Sequence, residues 1–178
     1  MAERPPEDPR DRVGRLYDAH GASLFRYAVM LLADAAAAED AVHQVFTALL
    51  RPSAPAQIDD AAHYLRRAVR NECYSTLRRH KSRAECAAER DGRDGSPPLL
   101  ESIAADEGGG ATPDERLALE RALRSLPAEQ REVVHLHMFE GLTFQEIATA
   151  ANESINTIAS RHRYALARLR EVLGSRHG

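Results

Sequence analysis

The sequence predicts an all-α protein: two small helical domains joined by a flexible acidic linker, the C-terminal one a helix-turn-helix. Three observations carry this prediction. Trp is absent and aromatics are 5% of the chain, while Ala, Leu, Arg and Glu abound, a composition that packs helices through aliphatic side chains rather than filling a sandwich or barrel. Apolar residues recur at steps of three and four on both sides of residues 91–113, the period of an amphipathic helix. Within that stretch the period is lost, in Asp91-Gly92-Arg93-Asp94-Gly95-Ser96-Pro97-Pro98 and Asp106-Glu107-Gly108-Gly109-Gly110. Gly adds conformational freedom there, Pro removes a donor and like charges repel, as in a linker. The expected organisation is a disordered tail at 1–10, a helical domain at 11–84, the linker at 85–112 and a second helical domain at 113–174.

In the first domain, Val13, Leu16, Leu24, Tyr27, Ala28, Leu31 and Leu32 share a helical stripe interrupted at His20-Gly21, which predicts two helices or one kinked helix. Asp34 is an N-cap candidate for a helix through Leu50 that buries Ala38, Ala41, Val42, Val45, Phe46 and Leu49 before Pro52 ends it. Asp59 or Asp60 caps a third helix with Leu65, Val69, Cys73 and Leu77 inward.

Beyond the linker the helix starts are explicit. Thr112-Pro113-Asp114-Glu115 has the pattern of a capping box with Pro at the first helical position, opening a helix that buries Leu119, Ala122, Leu123 and Leu126. Pro127 permits a fresh start, and Glu140-Gly141 closes the helix that follows. Thr143-Phe144-Gln145-Glu146 is a second capping box, opening a short helix with Phe144, Ile147 and Ala148 inward. Asn152 suits the left-handed residue of a tight inter-helix turn. Ser154 can cap the last helix, with core stripe Ile155, Ile158, Ala165, Leu169 and Val172.

The net charge of -3 conceals segregation: +6 over residues 61–83, -7 over 84–120 and +4 over 160–178. Two basic segments around an acidic one suggest two surfaces for a polyanion. Arg67, Asn71, Tyr74, Arg78 and Lys81 lie on one face of the third helix; cations suit phosphates, and an exposed Tyr or Asn can stack on or hydrogen-bond to an unpaired base. On the last helix Asn156, Thr157, Ser160, Arg161, Tyr164 and Arg168 point outward with Arg163 at the margin, types that contact phosphates and base edges in a major groove.

Other chemistries find little support. Cys73 and Cys86 are the only cysteines, too few for a disulfide framework or a four-thiolate zinc site. Cys86 is a weak redox-sensor candidate. His135 and His137, two apart on a helix, point away from each other and cannot chelate one metal, and His162 reads as a structural histidine. No catalytic cluster, metal site or cofactor is expected. No apolar segment approaches the length of a membrane span, so the expectation is a cytoplasmic protein without membrane insertion.

Three motifs together resemble the extracytoplasmic-function (ECF) sigma factors of bacterial RNA polymerase. Ala38-Glu39-Asp40 followed by Gln44-Val45-Phe46 is similar to the family's acidic helix that docks on the core enzyme. Tyr64-Leu65 through Arg70-Asn71 to Leu77-Arg78-Arg79 resembles the helix that binds and helps melt the -10 element. Leu123-Arg124-Ser125-Leu126-Pro127 with Arg131, then Leu142–Ala148 and Asn156-Thr157-Ile158-Ala159-Ser160-Arg161, resembles the domain that meets the polymerase flap and reads the -35 element.

The resemblance implies polymerase-docking roles for Glu39, Asp40, Gln44, Phe46, Leu126, Pro127 and Arg131. It adds Tyr64 and Arg79 to the -10 set, gives the loop Arg51–Asp60 a part in capturing an extruded base, and implies core RNA polymerase, promoter DNA and an anti-sigma factor as partners. The sequence departs from the common pattern at Tyr64, Ser75, Asn152, Asn156, Ala159 and Tyr164. A stand-alone helix-turn-helix regulator that binds an operator without polymerase is the alternative; it leaves the Glu39-Asp40-Gln44 helix and the Arg67–Lys81 face without a role.

Overall fold

The computed structural model describes residues 8–55, 58–86 and 112–174, with the side chains of 82–86, 113, 115 and 116 outside that description. Every regular element among the described residues is a helix: α1 (Pro9–Leu32), α2 (Ala35–Leu49), α3 (Ala61–Cys86), α4 (Pro113–Arg124), α5 (Ala128–Met138), α6 (Phe144–Ala151) and α7 (Ile155–Gly174). The acidic linker, Cys86 as a thiol and the Glu115 side chain of the first capping box lie outside the described residues.

The described residues fall into two compact units, one of residues 8–28 with 36–86 and one of residues 29–35 with 112–174. The division differs from the expected one, because the last turn of α1 and the turn after it group with the C-terminal helices.

In the first unit, α1 starts at Pro9, inside the segment expected to be a tail. Asp8 supplies the start, its carboxylate accepting from the Arg10 N–H at 2.9 Å and its carbonyl from the Arg12 N–H at 3.1 Å. The helix runs unbroken through His20-Gly21, so the two-helix alternative does not hold. Gly21 is buried under the Tyr17 ring, where a Cβ would meet ring atoms at an ordinary contact distance of 3.4 Å; it continues the helix rather than breaking it. Tyr17 packs edge-on against Phe46 of α2, centroids 5.1 Å apart. Helix α2 buries the six residues expected of it.

Asp60 caps α3, its carboxylate accepting from the His63 N–H at 2.9 Å. Leu65, Val69 and Cys73 are buried, but the fourth core position is Thr76, with Leu77 only half-buried. At about 100° per residue, three successive steps of four rotate about 120° away from the starting face, whereas steps of four, four and three return to within about 20° of it.

In the second unit α7 packs against α4, α5 and α6. Helix α5 is its central element, with Arg131 through Leu136 buried without interruption. The Arg131 guanidinium donates from Nε to Met30 O at 2.9 Å, from Nη2 to Leu31 O at 2.7 Å, and from Nη1 to Leu126 O at 2.8 Å and Arg124 O at 3.4 Å. The Met30, Leu31 and Arg124 carbonyls belong to the C-terminal turns of α1 and α4, which carry negative dipole ends and lack intrahelical donors, and Leu126 lies two residues beyond α4. One buried cation therefore closes two helices.

Thr143 caps α6 as a complete box. Its hydroxyl accepts from the Glu146 N–H at 3.3 Å, and the Glu146 carboxylate accepts from the Thr143 N–H at 2.8 Å. The Thr143 hydroxyl, followed by its N–H, holds the Glu146 carboxyl below the usual carboxylate range. Asn152 takes the left-handed conformation, φ 54°, and ends α6; Ser154 then caps α7 through the Thr157 N–H at 3.1 Å. Ile155, expected in the core stripe, is exposed, and the buried anchors of α7 are Ile158 and Ala165. Ile158, in the same first turn as Ile155, is buried, while Leu169 and Val172, also expected in the stripe, are half-buried.

Candidate DNA and polymerase interfaces

Three polar surfaces stand on these two cores. On α2 the apolar stripe is wholly buried, and Glu39, Asp40, His43 and Gln44 are left on the opposite, exposed face. Phe46 belongs to the buried side, 5% exposed.

On α3, Arg67, Asn71, Arg78 and Lys81 are exposed along one face, with Tyr64 exposed at its start. Tyr74 is half-buried, and the Arg70 guanidinium covers its ring at 4.6 Å from the centroid. A base stacking on Tyr74 would have to use the other face or displace Arg70. Sequence inspection missed Arg70; its place four residues before Tyr74 was the available signal. Arg79 stands elsewhere. Its Nη2 donates to Glu72 Oε1 at 2.9 Å and to Thr76 Oγ1 at 2.8 Å, on the side of α3 that faces α2.

The third surface is the first half of α7. Asn156, Arg163, Tyr164 and Arg168 are exposed, and Thr157, Ser160 and Arg161 are half-buried. Their charges are not idle in the free protein: Arg161 donates to Glu153 at 3.0 Å, Arg168 to Glu171 at 2.8 Å, and the Arg163 guanidinium lies 5.3 Å from the Tyr164 ring centroid. A phosphate at Arg161 would replace a carboxylate on the preceding turn.

Behind this helix the structure brings together two histidines that sequence reasoning left apart. His137 of α5 and His162 of α7 meet edge to face, centroids 5.1 Å apart, both against Phe144. His137 Nδ1 is 2.8 Å from Leu142 O. Burial, and then the neighbouring His137, lower the His162 pKa below the ordinary imidazole value. No group of three or more His, Cys, Asp or Glu among the described residues could hold a metal ion, and no helix among them is long and apolar enough to cross a membrane.

Two family models match the chain, one on each side of the acidic linker. Residues 16–83 match Sigma-70 region 2 and residues 122–171 match Sigma-70 region 4. Over 162 residues the chain is 34% identical to the ECF RNA polymerase sigma factor SigL of Mycobacterium tuberculosis, in each of three strains, covering 89% of this chain and 86% of the relative. The chain belongs to the ECF sigma factor family. The sigma factor RpoE of Bartonella quintana, solved in complex with the anti-sigma factor NepR, has a similar fold, with a TM-score of 0.65 over 94% of this chain and 98% of that one at 21% identity.

As an ECF sigma factor the protein is a transcription initiation factor that directs RNA polymerase to promoters. The stand-alone regulator is disfavoured, because the region 2 match accounts for the helices that reading left without a role. Within the sigma factor, three of the seven residues the resemblance placed at the polymerase are buried: Phe46, Leu126 and Arg131. Phe46 and Leu126 are apolar and fill the cores of their own units, while Arg131 is saturated by backbone carbonyls. In the free protein their side chains lie beneath the surface. Glu39, Asp40, Gln44 and Pro127 are solvent-facing.

Proposed function

We propose that the sigma factor divides its work by surface. The exposed α2 face docks on core polymerase through Glu39, Asp40 and Gln44. The outer face of α3, with Tyr64, Arg67, Asn71, Tyr74, Arg78 and Lys81, engages and helps open the -10 element. The α7 face reads the -35 element through Asn156, Thr157, Ser160, Arg161, Arg163, Tyr164 and Arg168, and Pro127 with the surface above Leu126 and Arg131 meets the flap. The site of action is the bacterial cytoplasm, and an anti-sigma factor is the regulatory partner, as in the complex of the Bartonella protein. No cofactor takes part.

The observation that carries this reading is the pairing of two exposed polar faces in one unit. The α2 face is acidic and amide-rich, suited to a basic protein helix. The α3 face mixes cations with an aromatic and an amide, suited to a partly unstacked strand. A protein that only bound duplex DNA would need neither.

The decisive experiment mixes the protein with core polymerase and measures promoter-dependent initiation. Asp40→Arg is expected to abolish assembly on core while leaving the second unit folded; initiation at the wild-type level by this variant would remove the docking assignment. Arg161→Ala is expected to weaken promoter binding and lower the slope of log affinity against log salt by about 1, one phosphate's worth of released counterions. An unaltered slope would make the Glu153 pair the only role of Arg161.

A further inference from the structure

We infer that the polymerase-docking surface does not end on α2 but continues onto α3 through Arg79 and His80, so that Arg79 serves protein docking rather than promoter DNA. The inference rests on the docking role proposed for Asp40 and Gln44 and extends that same site.

Helical geometry gives the first reason. At about 100° per residue, Arg79 projects about 100° away from Arg78, and the face Arg67, Asn71, Tyr74, Arg78, Lys81 passes it by. Arg79 shares its side of α3 with Glu72 and Thr76, seven and three residues earlier. Both hold it: the guanidinium donates to Glu72 at 2.9 Å and to the Thr76 hydroxyl at 2.8 Å. Thr76 is itself buried at the core edge, so the hold is anchored in the packed interior.

Neighbours give the second. A groove of about 180 Å³ is lined by Asp40 and Gln44 from α2 and by Thr76, Arg79 and His80 from α3. A second groove, about 470 Å³, is lined by the same two α2 residues together with His43, Arg51 and Glu72 among others. Asp40 and Gln44 thus line both grooves, and Arg79 and Glu72, joined by their ion pair, each contribute an α3 residue to one of them.

A partner helix seated on Asp40 and Gln44 borders the groove that Arg79 also lines. About half of the Arg79 side chain is open to solvent, at 54%, so it can offer its remaining donors outward. The surface as a whole is charge-mixed: carboxylates at Glu39 and Asp40, a fixed guanidinium at Arg79. It fits a polymerase helix that presents a basic residue to Asp40 and, beside it, an acidic residue or a helix C-terminus to Arg79.

The test compares charge reversals in the full-length protein, using a fluorescent label and two separate titrations. In the first, core polymerase is added without DNA. Arg79→Glu is expected to weaken assembly about tenfold or more, on the scale of a like-charge contact in place of a pair, whereas Arg78→Glu leaves it near wild type. In the second, holoenzyme preassembled at saturating concentration meets a promoter fork with an exposed -10 strand. Here Arg78→Glu loses affinity and Arg79→Glu does not.

Asp40→Arg separates the two levels of the argument. If it assembles normally, the α2 docking site itself is wrong; if it fails while Arg79→Glu assembles like wild type, only the extension onto α3 is wrong. Loss of fork binding without loss of core binding in Arg79→Glu returns Arg79 to the DNA set and overturns the inference. Arg79→Lys, which keeps the charge but not the fork that spans Glu72 and Thr76, is expected to recover most of the core affinity. Should it remain as weak as Arg79→Glu, with helicity unchanged by circular dichroism, Arg79 braces α3 and does not face the partner.

Discussion

Replacing Arg131 by Met removes the guanidinium and keeps an unbranched stem at the same buried position. Three carbonyls, Met30, Leu31 and Leu126, lose bonds of 2.7 to 2.9 Å, and Arg124 loses a longer one. Each bond to a charged donor contributes about 1.5 to 3 kcal/mol. The bonds are made by one rigid group and are not additive, since some carbonyls recover a water once the group is gone. The net loss expected is about 3 to 5 kcal/mol, the scale of orphaning one side of a buried charged contact. That is a large fraction of what holds a small unit together. Arg131→Lys should lose nearly as much, because one ammonium cannot span carbonyls at the ends of two helices.

The assay is urea unfolding of the full chain followed by circular dichroism, with amide exchange to locate the change at residues 29–35 and 124–139. A loss below about 1 kcal/mol, the size of an ordinary surface substitution, would refute the reasoning. It would mean the carbonyls are served by solvent and Arg131 is available to the polymerase, as the family resemblance implied.

His162 gives a pH dependence with a fixed sign. Its pKa is lowered in the folded protein, by burial first and His137 second, so the unfolded chain takes up the proton more readily. The stabilisation is present above about pH 6.5, the ordinary histidine value, and is lost as pH falls below it; His162→Gln should flatten the unfolding midpoint between pH 7.5 and 5.5. Thr143→Val keeps the β-branch and deletes the capping hydroxyl, and should lower stability by about 1 kcal/mol at pH 7. Because the lowered Glu146 pKa depends on Thr143, the variant should also lose stability less steeply than wild type as pH drops through the carboxylate range. Gly21→Ala should raise the melting temperature modestly, since the new methyl meets an exposed Tyr17 ring only at contact distance and the helix interior gains about 0.5 to 1 kcal/mol over Gly.

Local signals were legible wherever one residue and its near neighbours decide the outcome. The box at Thr143 and Glu146, the left-handed turn at Asn152 and the cap at Asp60 all formed where the sequence placed them. The six buried positions of α2 did too. Misreadings came where position around a helix, rather than residue type, decided the outcome. Gly21 reads as a break until the Tyr17 ring lies across it, and steps of four carried the α3 stripe to Leu77 when the helix had already rotated Thr76 into the core. Arg79 sat beside Arg78 in a basic run, and only its angle around the helix separates the two.

The sequence by itself determined that this protein is helical, where most helices begin and end, and which faces are charged, because capping, turn chemistry and hydrophobic period act within a few residues. Tertiary structure alone decided that Arg131 closes two helix ends about 100 residues from one of its partners, that His137 meets His162, and that Arg79 shares a surface with Asp40. Those outcomes depend on which helix faces come together, and a guanidinium that can serve solvent, phosphate or carbonyl equally well declares its role only when packing has excluded the first two.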